Sequence, residues 1–504
     1  MILFSQNKIQ RLIDHIAANA NFLRNNCQLN EILEGELLPK VKSALKKQLG
    51  PEAYAAAEPR IPPINVLQQV NDKLSTIYEN GVQRSSEKSG KGSAPDSDNA
   101  TLAYMTETMD PDTYFAEANK LYNLNKGVLI QPYISEVSET EVVPAMRVIP
   151  YDMFLPYSER TKEPEKPTGF VLMMGKEKRN KISAKTNKKT SQMIMVDVYY
   201  AVEADQFCWF TSDGENITAE KSPGNPEGVS DLGVIPYVYV NQSKTKLIPK
   251  IDTDVLAMTI LLPVLLTDVN FGAAFQAFGI IYTLNVKTGK LNFGPGAVWH
   301  FQQDGTDERK PEINTLKVSC DIDAMLNSIA NQYALWLQTK GIKPGSVGDI
   351  NASNFTSGIS KMLDEMDTSS NRKKQVPVFA RAESEFWVLV LRYMLPAWRK
   401  QYGSFLKYNG TWNETSFVKT TYPEQVPLQR RGAIVTETKA EQDAEYIDYR
   451  TAMKRLHPTA TDKQIDDIIG RIKKDKLERS TTNESATTET VDEPPEGGDG
   501  QPTD

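Results

Sequence analysis

Helical periodicity marks the first 80 residues of the chain. Apolar side chains recur there at spacings of three and four residues, which places them on one face of a helix. Two such sets are present: Ile9, Leu12, Ile13, Ile16 and Leu23, then Leu67, Val70, Leu74 and Ile77. Between residues 84 and 100 the composition changes to SSEKSGKGSAPDSDNA, which offers almost no apolar surface to bury. The pattern predicts helices followed by a mobile loop over 84–100.

Alternating apolar positions and β-branched runs dominate residues 127 to 241. Strings such as VLIQPYI, TGFVLMM and QMIMVDVYYAV are typical of strands joined by short turns. We therefore expect a largely antiparallel β region. Its basic segment KEKRNKISAKTNKK, residues 176 to 189, is interpreted as a solvated hairpin tip, with phosphate contact as the alternative.

A long apolar helix is predicted over residues 252 to 283, with Pro263 as a kink or a break. A short β stretch follows, and then a helix over 321–340. Asp321 suits the N-cap of that helix, and Lys340 with Gly341 suits its end. The polar segment KPGSVGDINASNF predicts a loop.

Four further helical segments complete the pattern. A helix begins near residue 357, the basic string NRKK breaks it, and a second helix begins near Pro377. Residues 386 to 395 are apolar on every side, so this stretch must be surrounded by protein. Residues 437–456 and 461–476 predict two amphipathic helices, and the acidic segment after Ser480 predicts a disordered tail.

The charge balance argues against tight binding of nucleic acid. The net charge is -7, yet residues 481 to 504 contain seven acidic residues and no Lys or Arg. The remainder of the chain is therefore neutral, whereas a protein that neutralises phosphates needs a basic surplus. A surface past which DNA slides remains compatible with this balance.

Known catalytic patterns are missing from the sequence. It lacks a phosphate-binding loop and a dinucleotide fingerprint, and its histidines, His15, His300 and His457, are far apart. The pairs Asp252/Asp254 and Asp321/Asp323 could bind Mg²⁺ in a nuclease, but their places before helices favour a capping role. We expect no enzyme activity, no metal and no cofactor.

Cysteine content and the amino terminus indicate a cytoplasmic setting. Cys27, Cys208 and Cys320 are odd in number and widely spaced, so we interpret them as small buried hydrophobes. The amino terminus does not have the pattern of a secretory signal. The apolar run 255–266 has about 12 residues against the roughly 20 that cross a membrane, so a buried helix is favoured over a membrane span.

The order of elements resembles that of the portal proteins of tailed bacteriophages. A mixed α/β body, a long helix, a small β insert, a second long helix, a polar loop, a further helix and a terminal helical bundle follow one another. The strings DIDAMLNSIANQYALWLQTKGIKPGSVG, NFTSGISKMLDEMD and RLHPTATDKQIDDIIGRI resemble portal sequences at the corresponding places. The resemblance covers about residues 250 to 475. The fold class it implies is α+β and mainly helical, with a wing, stem, clip and crown and an antiparallel β region in the amino-terminal half.

The resemblance implies a division of the chain into named parts. They are the wing (1–250), stem helix 1 (251–283), clip (284–320), stem helix 2 (321–341), tunnel loop (342–357), tunnel helix and return to the wing (358–429), crown (430–478) and tail (479–504). Such subunits form dodecameric rings, and head-to-tail contacts that close into a ring bury apolar helices against the next copy.

A role in moving genomic DNA through a capsid vertex follows from the same resemblance. The tunnel loop would face double-stranded DNA, without sequence specificity, through Lys343, Asn351, Ser353 and Asn354. The clip would dock the terminase large subunit and later the head-to-tail adaptor through Lys287, Lys290, Phe293, Trp299 and Phe301. Major capsid and scaffolding proteins are further implied partners. The protein would be assembled in the host cytoplasm and lie in the virion, away from any membrane.

Three other functions stay open at this stage. The paired helices at 437–476 would suit a DNA-binding regulator, although the acidic strings EQDAEYID and DKQIDDII oppose phosphate. A membrane-associated scaffold would depend on the apolar run at 255–266 alone. A metal-dependent nuclease would depend on the aspartate pairs.

The tunnel-loop assignment predicts the effect of added charge. Replacing Asn351 and Asn354 by Lys should slow DNA packaging, because each phosphate firmly paired with a cation adds to the barrier against sliding. The rate is measured in a packaging reaction with the variant and the wild-type protein. Unchanged packaging rates would count against the assignment.

Overall fold

The computed structural model describes residues 4–79, 81–89, 94–182, 189–278, 280–284, 312–316, 321–342, 358–408, 410–423, 428–444, 446–457 and 465–474. The chain divides into two compact units, Met1–Tyr422 and Pro423–Asp504.

Twelve α-helices are described in the first unit. They are α1 (Gln6–Ala18), α2 (Ala20–Leu33), α3 (Leu37–Gln48), α4 (Pro51–Ala57), α5 (Val66–Leu74), α6 (Asp96–Met109), α7 (Pro111–Asn125), α8 (Thr218–Lys221), α9 (Thr253–Phe278), α10 (Ile322–Thr339), α11 (Gly358–Val388) and α12 (Leu395–Tyr402). Short 3-10 turns occupy Glu58–Arg60 and Gly403–Phe405, and a π-helical turn, Leu389–Met394, joins α11 to α12.

The strands of the first unit form four antiparallel sheets. They are β1 (Gln83–Lys88), β2 (Gly127–Ser138), β3 (Glu141–Pro150), β4 (Phe154–Tyr157), β5 (Gly169–Ile182), β6 (Lys189–Val202), β7 (Phe207–Thr211), β8 (Val238–Asn241), β9 (Ile280–Leu284), β10 (Glu312–Leu316) and β11 (Ser416–Thr421). The strand orders are β3-β2-β8, β4-β5-β6-β7, β1-β11 and β9-β10. The predicted α+β class and the antiparallel β region at 127–241 are confirmed.

The largest hydrophobic core surrounds the end of α11 and the π-helical turn. Phe379, Phe386, Trp387, Val390 and Leu391 are buried there against α7 and the β3-β2-β8 sheet. The burial predicted for residues 386 to 395 is confirmed for most of them, although Tyr393 stays 41% exposed. The chain's own sheet and helices surround the segment.

The prediction of a mobile loop over residues 84–100 is wrong for most of its length. Residues 83–88 form β1, which pairs along its whole length with β11, and α6 begins at Asp96. Asp98 is buried and accepts a hydrogen bond from the backbone N–H of Asn413 at 3.1 Å. A partner more than 300 residues away along the chain orders this polar segment, and local composition carries no sign of it. Residues 90–93 lie outside the described residues.

Two predictions about helix boundaries also differ from the structure. The first long helix ends at Phe278, because residues 280–284 pair with β10 instead of continuing it. The predicted break at NRKK is wrong, since α11 runs unbroken through Pro377. The polar stretch before Pro377 is held by tertiary contacts: Arg372 donates to the carbonyl of Ile77, and Gln375 to the carbonyl of Leu74.

The second unit contains α13 (Leu428–Asp443), α14 (Tyr449–Leu456) and a helix over residues 465–474, named α15. The single helix predicted for 437–456 is therefore wrong, because Asp448 caps a separate α14 by accepting from the backbone N–H of Arg450. Arg450 pairs with Asp466 at 3.1 Å, and Ile465 is buried. The buried face predicted for the last helix is confirmed at Ile465. The predicted start of that helix at 461 and the acidic tail lie outside the described residues.

A buried carboxylate joins α11 to the β1-β11 sheet. Glu383, fully buried, accepts from Nε of Arg84 at 2.8 Å and from the hydroxyls of Tyr78 at 2.8 Å and Tyr422 at 3.1 Å. Arg84 also donates to Asp112 of α7 at 2.7 Å. Burial, followed by the charge of Glu383, raises the pKa of Tyr78 well above its usual value. These contacts compensate the buried charge of Glu383 on several sides at once.

Removing Glu383 should destabilise the protein strongly. Glu383→Ala leaves the guanidinium of Arg84 buried without its main counter-ion, which costs about 3–5 kcal/mol. Urea unfolding of the variant and the wild type measures the difference. Glu385→Ala is the matched control on the same helix, because Glu385 pairs only with the exposed Arg381 and its loss should cost under about 1 kcal/mol. Equal, small losses in both variants would contradict the role assigned to Glu383.

Candidate functional site

The helices α9 and α10 pack side by side and run antiparallel. Residues near the start of α9, such as Met258, contact Trp336 and Leu337 near the end of α10. Val269, further along α9, lies in one cluster with Ile329 of α10. At 1.5 Å per residue the two helices are about 39 Å and 27 Å long. The β9-β10 ribbon follows α9 and precedes α10, so the chain forms a helical hairpin that carries a β ribbon.

Local sequence fixes both ends of α10. The Asp321 side chain accepts from the backbone N–H of Ala324 at 2.9 Å, as predicted for an N-cap. At the other end Gly341 adopts a positive φ of 70°, which lets the backbone N–H of Ile342 reach the carbonyl of Leu337 at 3.0 Å. Ile342 is buried beside Trp336. The predicted helix from 321 to 341 is thereby confirmed within a residue or two at each end.

The helix α9 continues through Pro263, so of the two predicted alternatives, a kink or a break, the break is wrong. Two threonine hydroxyls donate to backbone carbonyls in this stretch: Thr259 to that of Val255 at 2.7 Å, and Thr267 to that of Pro263 at 2.6 Å. One side of α9 packs on the core formed with α2 and α3, where Val264 is buried. Burial raises the pKa of Asp268, the one ionisable residue between Val255 and Phe278.

Two lysines form ion pairs at the base of the helix pair, where α9 begins and α10 ends. Asp252, just before α9, accepts from Lys126 at 2.7 Å and from Lys340 at 3.2 Å. Lys340 also pairs with Asp254 at 2.8 Å. Burial alone would raise the pKa of Asp252, but the hydrogen bond from Lys126 and the charges of both lysines outweigh it and lower that pKa. The ion pairs thus tie the start of α9, the end of α10 and the residue before β2 together.

Beyond the exposed Asp323 in its first turn, the outward face of α10 is polar and carries no charge. From Ala324 to Thr339 the sequence contains no ionisable acid or base other than Tyr333. The exposed positions repeat at spacings of three and four residues, which places them on one face. They are Ala324, Asn327, Ser328, Asn331, Gln332, Leu335, Gln338 and Thr339, called the amide face below. Leu335 on this face is 63% exposed, and Leu261 of α9 is 42% exposed.

By length and composition alone, one helix within the described part of the chain could cross a membrane. The window Thr253–Ala274 has a mean hydropathy of 1.8, and 39% of it is buried inside the protein. Its contacts with α2, α3 and α10 are those of a helix in a protein core. The expected absence of a membrane partner stays a prediction.

The candidate residues of the predicted tunnel loop and clip lie outside the described residues. These are Lys343, Asn351, Ser353 and Asn354 of the loop, and Lys287, Lys290, Phe293, Trp299 and Phe301 of the clip. The structure therefore brings none of them together. It describes the elements that border them: the β9-β10 ribbon flanks 285–311, while Ile342 and the start of α11 flank 343–357.

Among the remaining candidate residues that the structure describes, Cys27, Cys208 and His15 have structural roles. Burial raises the pKa of Cys208 to about 11, so its thiol stays protonated as expected for a small buried hydrophobe. Cys27 is only half-buried and donates to Glu31, and Cys320 lies outside the described residues. Nε2 of His15 lies 3.0 Å from the carbonyl oxygen of Pro156. No group of three or more His, Cys, Asp or Glu able to hold a metal occurs among the residues with a described placement.

Sequence reasoning missed the amide face and the two lysine contacts of Asp252. The sequence signal for the amide face is the long run without charge in 324–339. The partner Lys126 lies 126 residues before Asp252, so spacing could not reveal it. The chain matches no model of a known protein family, and no curated protein is significantly similar to it in sequence.

The lowered pKa of Asp252 predicts a pH dependence. Asp252→Asn should lower the free energy of unfolding by under about 1 kcal/mol, since the carboxylate is 38% exposed. This loss of unfolding free energy is fully present above about pH 4, the usual pKa of an Asp in the unfolded chain. It disappears as the pH falls through the lowered pKa that Asp252 has in the folded protein.

Urea unfolding of wild type and variant between pH 7 and pH 3 measures this difference. Asp231→Asn serves as the control, because Asp231 is exposed and has no described partner. A difference that stays constant over the whole pH range would refute the assignment of the pKa shift.

Proposed function

We propose that this chain is a portal protein of a tailed bacteriophage. In this proposal, copies form a ring-shaped channel at one capsid vertex through which double-stranded DNA is packaged and later ejected. The order of described elements supports it: α9, the β9-β10 ribbon, α10, then α11 and a separate carboxy-terminal unit follow the order of stem, clip, stem, tunnel helix and crown.

The amide face of α10 is the observation that carries the proposal. Solvated helix faces are usually rich in Lys and Glu, whereas the cores of protein interfaces are depleted of charge. This face lies on an almost uncharged helix pair and includes the exposed Leu335. Such a surface gains free energy when a neighbouring copy covers it, because apolar area leaves water and no charge loses its hydration.

Repetition of that contact around an axis would give the channel. A contact between two different surfaces of one subunit closes into a ring when the rotation between neighbours divides a full turn. Helices about 27 to 39 Å long would then form the wall of an axial passage. A wall with few cations holds phosphates weakly, which allows DNA to slide.

The protein would act as a conduit and docking ring without catalysis of its own. The clip would dock the terminase large subunit during packaging and the head-to-tail adaptor afterwards. Capsid and scaffolding proteins would contact the outside of the ring. The virion vertex is the place where these contacts come together, after assembly in the host cytoplasm.

A membrane-associated scaffold is the second candidate, favoured only by the hydropathy of α9. It differs in one observable result, because it requires the protein to float with lipid vesicles. A portal subunit stays with the soluble fraction and assembles without lipid.

A charge placed on the amide face should prevent assembly. Leu335→Glu buries an unpaired carboxylate at every contact between copies, at a cost of about 3 kcal/mol per contact. We expect native mass spectrometry to show rings for the wild type. For the variant the fraction of protein in rings should fall by about tenfold or more.

Val229→Glu is the matched control, because Val229 is exposed at 39% and lies far from α10 in sequence. It should assemble like the wild type. Circular dichroism of all three proteins establishes that they are equally folded. Rings of Leu335→Glu as abundant as those of the wild type would refute the role of the amide face.

A further inference from the structure

The β5-β6 hairpin extends beyond the sheet to which it belongs. The strand β4 pairs with β5 only over residues 169–172, and β7 pairs with β6 only over residues 198–202. The pairing of β5 with β6 nevertheless continues from residues 176 and 197 out to 182 and 189. The described residues 176–182 and 189–197 therefore form a two-stranded projection, called the arm below.

One face of the arm combines methionines with lysines. Residues opposite each other in an antiparallel pair share a face, and Lys178 lies opposite Met195 while Asn180 lies opposite Met193. Met193 and Met195 are 58% and 55% exposed. Lys176 makes a long contact of 3.8 Å with Asp197, and no ion pair is described for Lys178. Large exposed apolar side chains gathered on one surface indicate a contact with another protein.

The other face of the arm is held by ion pairs. Arg179 is 11% exposed and contacts Glu220 at 2.5 Å and Glu215 at 3.6 Å. Lys221 pairs with Glu177, and Val196 is buried. Because one face is anchored on the segment around α8, the methionine face is presented outward in a fixed orientation.

The tip of the β2-β3 hairpin has the complementary character. Val137 lies at a β-bulge between Glu136 and Ser138 and is 61% exposed. Glu136 and Glu139 beside it are exposed and have no described ion pair, while Glu141 pairs with Lys407. The tip thus presents an apolar residue with two free carboxylates, where the arm presents methionines with lysines.

We propose that the arm of one copy docks on the β2-β3 tip of a second copy of this chain. Lys176 and Lys178 face Glu136 and Glu139, and Met193 and Met195 cover Val137. The opposite charges on two different surfaces of one chain favour a head-to-tail contact, the kind that closes a ring. The inference rests on the proposed function, since it names a contact between ring neighbours outside the amide face.

Cross-linking between two different variants tests the contact. One full-length chain carries Lys178→Cys, and the other carries Glu139→Cys with an affinity tag, both with Cys27 and Cys320 replaced by Ser. After mixing and mild oxidation we expect a disulfide-linked pair that contains both chains. Lys244→Cys is the matched control, because Lys244 is another exposed lysine for which no ion pair is described. It should give only background cross-linking with the Glu139→Cys chain.

Charge reversal adds a second measurement. Lys176→Glu in the first chain should lower the cross-link yield by about tenfold, because attraction becomes repulsion, and Glu136→Lys in the second chain should restore it. A yield no higher than that of the Lys244→Cys control, or one insensitive to charge reversal, would overturn the arm contact.

Electron micrographs of the wild-type protein test the proposed function independently of the cross-linking result. Rings without the specific cross-link leave the portal proposal standing and remove the arm contact. The cross-link without rings supports the arm contact as an interface between copies and removes the ring.

Discussion

The packing of α9 against α10 is the interaction on which the account of this protein depends. Both helices have almost no charge, and each covers one side with protein. They cover each other and the cores beside α2, α3 and α5. Lysines at the base compensate Asp252 and Asp254, so the pair is fixed to the sheet region as well. What remains outward is the amide face, and its lack of charge is the reason to infer a partner.

Buried polar contacts determine how the rest of the first unit holds this hairpin. Glu383 connects α11 with β1, α7 and the residue after β11 through Arg84, Tyr78 and Tyr422. Gln375 of the same helix accepts from Asn119 of α7 at 2.8 Å and donates to the carbonyl of Leu74, at the end of α5. Because α5 also contacts α9 and α10 through Val66 and Val70, the helix that follows the predicted tunnel loop is linked to the helix pair. A shift of α11 would therefore disturb both.

The sequence predicted best where the determinants are local. The cap at Asp321, the left-handed Gly341 and the alternation of residues 127 to 241 each depend on neighbours within a few positions, and all three are confirmed. The predictions failed where the local structure depends on a contact with a residue far away in the sequence. The strand at 83–88 exists because β11 pairs with it, and the helix through Pro377 persists because Arg372 and Gln375 are held from other elements.

The candidate site could be predicted only in outline for the same reason. The sequence pattern located the two helices. Their antiparallel packing, the lysine contacts of Asp252 and the amide face depend on how the helices sit against each other. The arm and the acidic tip also needed the strand register, since the sequence alone does not say which methionines share a face with Lys178.

Electron microscopy of the purified wild-type protein tests the central claim most directly. The account predicts closed rings of many copies. Class averages of end-on views should show an open hole along the ring axis. A stable monomer, or a closed dimer without an axial opening, would contradict it.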